Sequence, residues 1–382
     1  KKMMNIIADE NMALVQEFFG DLGNLQCYAG RQLNTQLLQQ ANVLLVRSVT
    51  QVNQALLANT PVRFVGSATI GADHLDLRWL AQQQIMTTTA PACNARSVVE
   101  YVLAVLAYLQ EQLQQDMSAK VLGVVGLGNV GHLLAQVAGQ LGFRVIGCDP
   151  FVQRQGVTQQ PLQQLLSEAD IVCFHTPLTK QGEYPTYHLL AEHNLKYLKQ
   201  GAILLNAGRG AVIDNVALLA FLQTYPHYLS AVVLDVWENE PAINVDLVAS
   251  IDIATPHIAG YSLEGKWRGT EMIYQRLCQY LNQQIKHKLA DFLPVNHQVL
   301  TWPHLSTIWQ NYAALLRKVY PVEQDDQALR QTMCLDTHEA RALAFDKLRK
   351  DYWPRRECSA YDLREVPIAN QQQMANLGFK LC

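Results

Sequence analysis

A chain of 382 residues, 49% hydrophobic and 16% charged, has room for two or three globular domains. Its formal net charge of −3 gives no reason to expect nucleic acid or an anionic membrane as a partner. The eight cysteines are scattered without metal-ligand spacing and suit reduced thiols in a cytoplasmic protein, so no metal is expected, and no apolar run reaches membrane-spanning length.

Strands and helices alternate from the start. "MNIIADE" predicts a strand, "ALVQEFFGDLG" a helix, "VLLVRS" a strand, "QVNQALLA" a helix, "VRFVGSA" a strand, "LDLRWLAQQ" a helix and "IMTTTA" a strand. Short apolar runs between helices are the mark of parallel strands buried on both faces. Pro91 and Asn94 then punctuate the chain before a long helix from Ala95. A second strand set follows: "KVLGVVGLG", "RVIGCD", "DIVCFHTP", "GAILLNAG", "LSAVVLDV" and "IDIATPH". Another long helix begins at Leu263. From Lys288 prolines interrupt the chain and glycine is absent until Gly378, which predicts a third, smaller α+β domain over 288–382. Within it "EARALAFDKLRKDYW" reads as a basic amphipathic helix and "YDLREVP" as a strand.

"GVVGLGNVG" places Gly126, Gly128 and Gly131 between a buried strand and an apolar-periodic helix, with Asp149 at the end of the next strand. That context predicts a dinucleotide site. Gly126 permits the tight turn, Gly128 lets backbone approach a pyrophosphate, and Gly131 lets helix pack on strand. Asp149 can accept hydrogen bonds from a ribose diol and repels a 2′-phosphate, which favours NAD over NADP. A ligand-free turn, FAD or S-adenosylmethionine are the alternatives.

Three later strands end in polar residues: Arg209 between two glycines, then Asp235, Glu238 and Glu240, then His257. Ligands of open α/β sheets bind beyond such ends. Singly, each has a plainer reading: a surface ion pair for Arg209, a solvated turn for Glu240, a packed ring for His257. Together they suit hydride removal from a 2-hydroxy acid. The Arg209 fork grips a carboxylate, His257 takes the hydroxyl proton, and a carboxylate at Glu240 or Glu238 orients the imidazole and favours its charged form.

These pieces, with "FHTPLT", "NAGRGAVID", "LDVWENEP" and "TPHIAGYS" in order, resemble the D-isomer-specific 2-hydroxyacid dehydrogenase family. The resemblance implies two Rossmann-like doubly wound α/β domains. One is discontinuous and binds substrate, over 1–94 and 260–287; the other binds NAD, over 95–259; the reaction lies in the cleft between them. It assigns catalysis to Arg209, Glu240 and His257, and substrate contact to Ser48, Thr69 and Tyr261. It places Asn129, Val130, Thr176, Ala207, Asp235 and Gly260 beside NAD, with the glycines and Asp149. "FVGSATIGADHLD", "APACNARSVVEYV", "HIAGYSLEGKWRGT" and "FDKLRKDYWPRRE" narrow the resemblance to a branch that acts on a phosphorylated 2-hydroxy acid and dimerises through a C-terminal domain, which makes 288–382 a dimerisation domain and the protein a homodimer. A phosphate demands cations. Arg47 is the candidate, with a surface salt bridge as its alternative. Arg349, Arg355 and Arg356 either reach a partner subunit's site or lie on a solvated helix. The rival functions are another dehydrogenase of the family, of 3-phosphoglycerate or glyoxylate type, and an NAD-sensing binding protein of the same fold.

Overall fold

The computed structural model describes residues 4–382. The chain divides into two compact units, one built from residues up to 94 with 262–294, the other from 95–261 with 295–382.

The first unit holds five parallel strands: β1 (Asn5–Asp9), β2 (Asn24–Tyr28), β3 (Val43–Val46), β4 (Phe64–Ser67) and β5 (Met86–Thr88), in the order β2-β1-β3-β4-β5. Alternation along each strand feeds two cores. Ile6, Ala8, Val43 and Leu45 pack with Phe18, Phe19 and the Ile273, Tyr274 and Leu277 face of helix Leu263–Tyr280. Ile7, Leu44 and Val46 pack oppositely, with Leu57 and Leu80. Ser262 starts the long helix, its hydroxyl accepting from the Gly265 N–H at 2.9 Å. β2 has no counterpart in the sequence reading. It is an edge strand paired only with β1, largely exposed, and "NLQCY" has no apolar run to betray it.

The second unit carries β6 (Val121–Val125), β7 (Arg144–Cys148), β8 (Thr158–Gln159), β9 (Ile171–Phe174), β10 (Ile203–Asn206), β11 (Ala231–Leu234) and β12 (Ile253–Ala254), all parallel, in the order β12-β11-β10-β9-β6-β7-β8. From β6 the chain winds out to β7 and β8, then returns to β9 on the other side. The turn after β6 therefore sits where the winding reverses, the crevice in which such sheets bind ligands.

Residues 295–382 cluster with this unit rather than standing apart as a third body. They supply a small parallel sheet, β13 (Val299–Thr301), β14 (Asp362–Arg364) and β15 (Lys380–Leu381), and four helices, Ile308–Val319, Glu323–Met333, His338–Lys350 and Ile368–Asn376. The reason is a shared core. Trp309, Tyr312, Leu315 and Leu316 are buried in one apolar cluster with Val102, Leu106 and Leu109 of helix Ala95–Leu113. Burying each such large side chain contributes about 1.5–3 kcal/mol. Helix Glu323–Met333 also closes the free edge of β12. Asp326 accepts the Ala254 N–H at 2.7 Å, and Arg330 donates to the Val248 and Ile251 carbonyls, both at 2.8 Å. Among the described residues no helix is long and apolar enough to cross a membrane.

Candidate active site

The turn after β6 is built by its glycines. Gly126 has φ +88, and a Cβ there would meet the Thr176 backbone N at 2.9 Å. A Cβ at Gly131 would lie 1.8 Å from the Gly126 carbonyl oxygen, so only glycine lets the helix Asn129–Gln140 seat on its strand. Before Gly128, by contrast, the space is open, and Gly128 and Asn129 present the exposed start of that helix, with Val130 half-buried behind them. Asp149, at the end of β7, accepts the Leu127 N–H at 2.8 Å and the Phe151 N–H at 2.9 Å, binding the glycine turn to the neighbouring strand end.

At the end of β9, the Thr176 hydroxyl and both ring nitrogens of His175 are buried without a hydrogen-bond partner. Burial pushes the His175 pKa down to about 4, so the ring is neutral. Orphaned polar atoms beside an open glycine turn are what a polar ligand completes. The donor set, free helix N–H groups with a strand-end carboxylate, fits a dinucleotide such as NAD. The sequence reading passed over His175; the signal was a histidine directly at the end of a buried strand.

β10, β11 and β12 end side by side, and their loops lock together. Fully buried Asn206 accepts the Gly208 N–H at 3.0 Å and donates to the Arg209 carbonyl at 3.0 Å, which shapes the turn carrying Ala207 and Arg209. A Cβ at Gly210 would fall 2.0 Å from the Trp237 carbonyl, so this turn packs directly on the loop holding Glu240. That loop is fixed from within: the Trp237 N–H donates to Glu240 Oε1 at 2.9 Å, and the Trp237 indole to the Thr255 carbonyl at 2.9 Å.

Glu240 Oε2 lies 2.8 Å from His257 Nδ1. Of the two carboxylates weighed for this role, Glu238 turns away. It bonds His188 Nε2 at 2.8 Å and the Asn215 N–H at 2.8 Å, and Asp214 stands at the other ring nitrogen of His188, 3.4 Å away. Those two carboxylates occupy opposite sides of one imidazole. Burial pushes the Glu240 carboxyl up, but the His257 imidazole and its hydrogen bond, with Arg349 and the Trp237 N–H, hold it below its ordinary value. An ionised Glu240 takes the Nδ1 proton of His257 as its hydrogen bond, which leaves Nε2 as the basic nitrogen. The His257 side chain is about one-third exposed, so it is not a packed ring.

Asp235 builds the backbone beneath this pair. It is 1% exposed, and its carboxylate accepts from the Thr255 hydroxyl at 2.7 Å, the Ile258 N–H at 2.9 Å and the Ala259 N–H at 3.0 Å. His257 itself has φ +57, a left-handed conformation uncommon for a side-chain-bearing residue, and its N–H donates to the Asp235 carbonyl at 2.7 Å. The backbone and carboxylate bonds of Asp235 together hold that conformation. Half-buried Gly260 and Tyr261 continue the same loop, and the Tyr261 hydroxyl accepts from Arg349 Nη2 at 2.9 Å.

In the first unit, Arg47 and Ser48 follow β3, Ser48 exposed. Thr69 follows β4, its hydroxyl bonded to Ser67 at 2.7 Å and the Gly71 carbonyl at 2.9 Å. The second unit thus gathers Arg209, Glu240, His257 and Tyr261 on adjoining loops, while Arg47, Ser48 and Thr69 stand on strand ends of the first.

Residues 100–259 match the family model described as "D-isomer specific 2-hydroxyacid dehydrogenase, NAD binding domain", and 293–378 match a model for a domain of unknown function. An erythronate-4-phosphate dehydrogenase of Marinobacter nauticus is 47% identical over 395 residues, spanning 99% of this chain and all of the relative. That of Pseudomonas aeruginosa strain PAO1 is 46% identical over 388 residues, with the same coverage. Among solved structures, the D-lactate dehydrogenase of Aquifex aeolicus complexed with NAD and lactic acid superposes with a TM-score of 0.61 at 24% identity, covering 73% of this chain and 95% of that one. The 3-phosphoglycerate dehydrogenase of Entamoeba histolytica does so at 0.63 and 20% identity, covering 76% and 100%. These two share the fold. On near-full-length identity, the chain belongs to the erythronate-4-phosphate dehydrogenase family, within the D-isomer specific 2-hydroxyacid dehydrogenases.

Proposed function

We infer that the protein is an NAD-dependent dehydrogenase that oxidises 4-phospho-D-erythronate to 3-hydroxy-2-oxo-4-phosphobutanoate, a step of pyridoxal 5′-phosphate biosynthesis. The observation that carries this reading is the 2.8 Å bond between Glu240 and His257 Nδ1, on loops adjoining that of Arg209. NAD, when bound, supplies the hydride acceptor. The protein handles the proton and the charges. His257 Nε2 accepts the proton of the C2 hydroxyl, and ionised Glu240 stabilises the imidazolium that forms. Arg209 holds the substrate carboxylate and the developing carbonyl oxygen with its planar fork. Gly126, Gly128, Asn129, Val130 and Gly131 present backbone N–H groups to the pyrophosphate, and Asp149 takes the ribose diol. Thr176, Ala207, Asp235 and Gly260 border the dinucleotide. Ser48, Thr69, Tyr261 and Arg47 contact substrate.

The protein acts in the cytoplasm as a homodimer assembled through residues 288–382. That stretch leaves large apolar side chains such as Val295, Leu343 and Ile368 exposed, by 75%, 72% and 88%. Sedimentation at micromolar concentration tests the assembly, a monomer counting against it. NADH formation from 4-phospho-D-erythronate tests the activity. Turnover of 3-phosphoglycerate or glyoxylate-type substrates instead, or tight NAD binding without turnover, points to the rival functions.

A further inference from the structure

Three basic residues occupy the last turn of helix His338–Lys350. Lys347 and Lys350 face solvent, but Arg349 turns inward. Its Nη2 donates to the Tyr261 hydroxyl at 2.9 Å, and its guanidinium carbon lies 5.6 Å from the Tyr261 ring centroid. The Nε of Arg349 is buried and has no hydrogen-bond partner. Leaving a charged donor in that state is costly and calls for a partner, as it does for Arg96 Nη1 and Arg341 Nε elsewhere in the chain. Arg349 also lies close enough to Glu240 that each charge stabilises the other, with Asp346 of its own helix adding to the effect.

The surroundings make the placement firm. Tyr261 stands edge-on to Tyr352, ring centroids 5.8 Å apart. Tyr352 donates to buried Asp325 at 2.6 Å, as does the Trp353 indole at 3.1 Å. Arg355 donates to the Ala259 carbonyl and to Ser97. The C-terminal segment therefore grips the His257 loop at Ala259 and at Tyr261, and between those grips it delivers a cation with an unused donor beside the Glu240–His257 pair.

The geometry points to Arg349 as the ligand of the substrate's phosphoryl group, a site shared by the Arg349 guanidinium and the Tyr261 hydroxyl. This rests on the dehydrogenase reading above. A phosphorylated 2-hydroxy acid has two anionic ends. Arg209 takes the carboxylate next to the reacting carbon, and the phosphate end needs a cation besides Arg47 that can donate along two directions. Arg349 keeps Nε for this while Nη2 engages Tyr261.

Steady-state kinetics of the full chain on 4-phospho-D-erythronate and unphosphorylated D-erythronate test it, with inorganic phosphate as competing anion. Arg349→Gln is expected to raise KM for the phosphorylated acid by about 30-fold or more, and to weaken phosphate inhibition by about tenfold or more. Its NAD affinity is expected to stay within about threefold of the parent, and any fall in kcat from the lost support of Glu240 is expected to be shared by D-erythronate, so that the ratio of kcat/KM for the phosphorylated over the unphosphorylated acid drops by about tenfold or more. Arg349→Lys keeps the charge without the fork and is expected to recover part of the loss. An unchanged KM and phosphate inhibition constant, in Arg349→Gln folded by its melting midpoint or failing that in Arg349→Lys, overturns the inference. So does an equal loss on both substrates, which makes Arg349 a support of the loop. Absence of turnover by the parent chain is a separate result and strikes at the dehydrogenase reading instead.

Discussion

At the carboxyl ends of the five-stranded sheet, Ser48 lies open and the Thr69 hydroxyl bonds its close neighbours Ser67 and Gly71. At the matching ends of the seven-stranded sheet, Asn206, Asp235, Glu240, Thr255 and His257 bond one another and each other's loops. Both sheets are parallel and apolar on two faces, so the difference lies in how each spends the polar groups at its strand ends. One unit offers contacts that adjust to a ligand at small cost. The other fixes a constellation beforehand, which lowers the reorganisation required at the moment of reaction.

Substitutions in the second unit are therefore expected to break function and those in the first to weaken it. His257→Asn should lower turnover by about 10²–10⁴ while NAD affinity holds, as expected for a lost general acid/base. A loss of only a few fold, measured by NADH formation, returns His257 to a packing role. Asp149→Ala should cut the preference for NAD over NADP by about tenfold or more, read from kcat/KM with each cofactor. Unchanged discrimination leaves Asp149 with the task of holding the Leu127, Phe151 and Val152 N–H groups.

The second unit also buries a carboxyl, Glu100, on helix Ala95–Leu113. Burial, and next the neighbouring carboxylate of Glu357, push the Glu100 pKa from its ordinary 4.5 up to about 8. A carboxyl raised on folding contributes stability that is complete below 4.5 and is lost as pH climbs through about 8. Thermal midpoints should fall by about 5 °C between pH 5 and 8.5, and Glu100→Gln should flatten that slope. An equally steep slope in the variant assigns the loss to other groups. The smallest effect belongs to the open region: Ser48→Ala should raise the substrate KM by about two- to fivefold at unchanged kcat, the value of one exposed hydrogen bond. A loss as large as that of His257→Asn erases the contrast between the two units.

The alternation of strands and helices was legible because parallel strands buried on both faces must be continuous apolar runs. β2 was not, since an exposed edge is free to be polar. The glycine turn was legible from backbone needs that only glycine meets, and the Glu240–His257 pair from strand ends and family resemblance. Asp235 was harder. A carboxylate at a strand end looks like a ligand contact, and nothing local reveals that Thr255, Ile258 and Ala259 use it. Arg349 stood out only as a basic residue among several, because its meeting with Tyr261 depends on how a distant helix packs.

The clamp of Asp326 and Arg330 on the border of β12 bears on solubility as well as on shape. A strand left bare on one side is a template on which another molecule's backbone can add, copy upon copy, into aggregates. Trimming the C-terminal segment would uncover that template immediately ahead of His257. On this physical ground the segment's cover over β12 is expected to limit strand addition there.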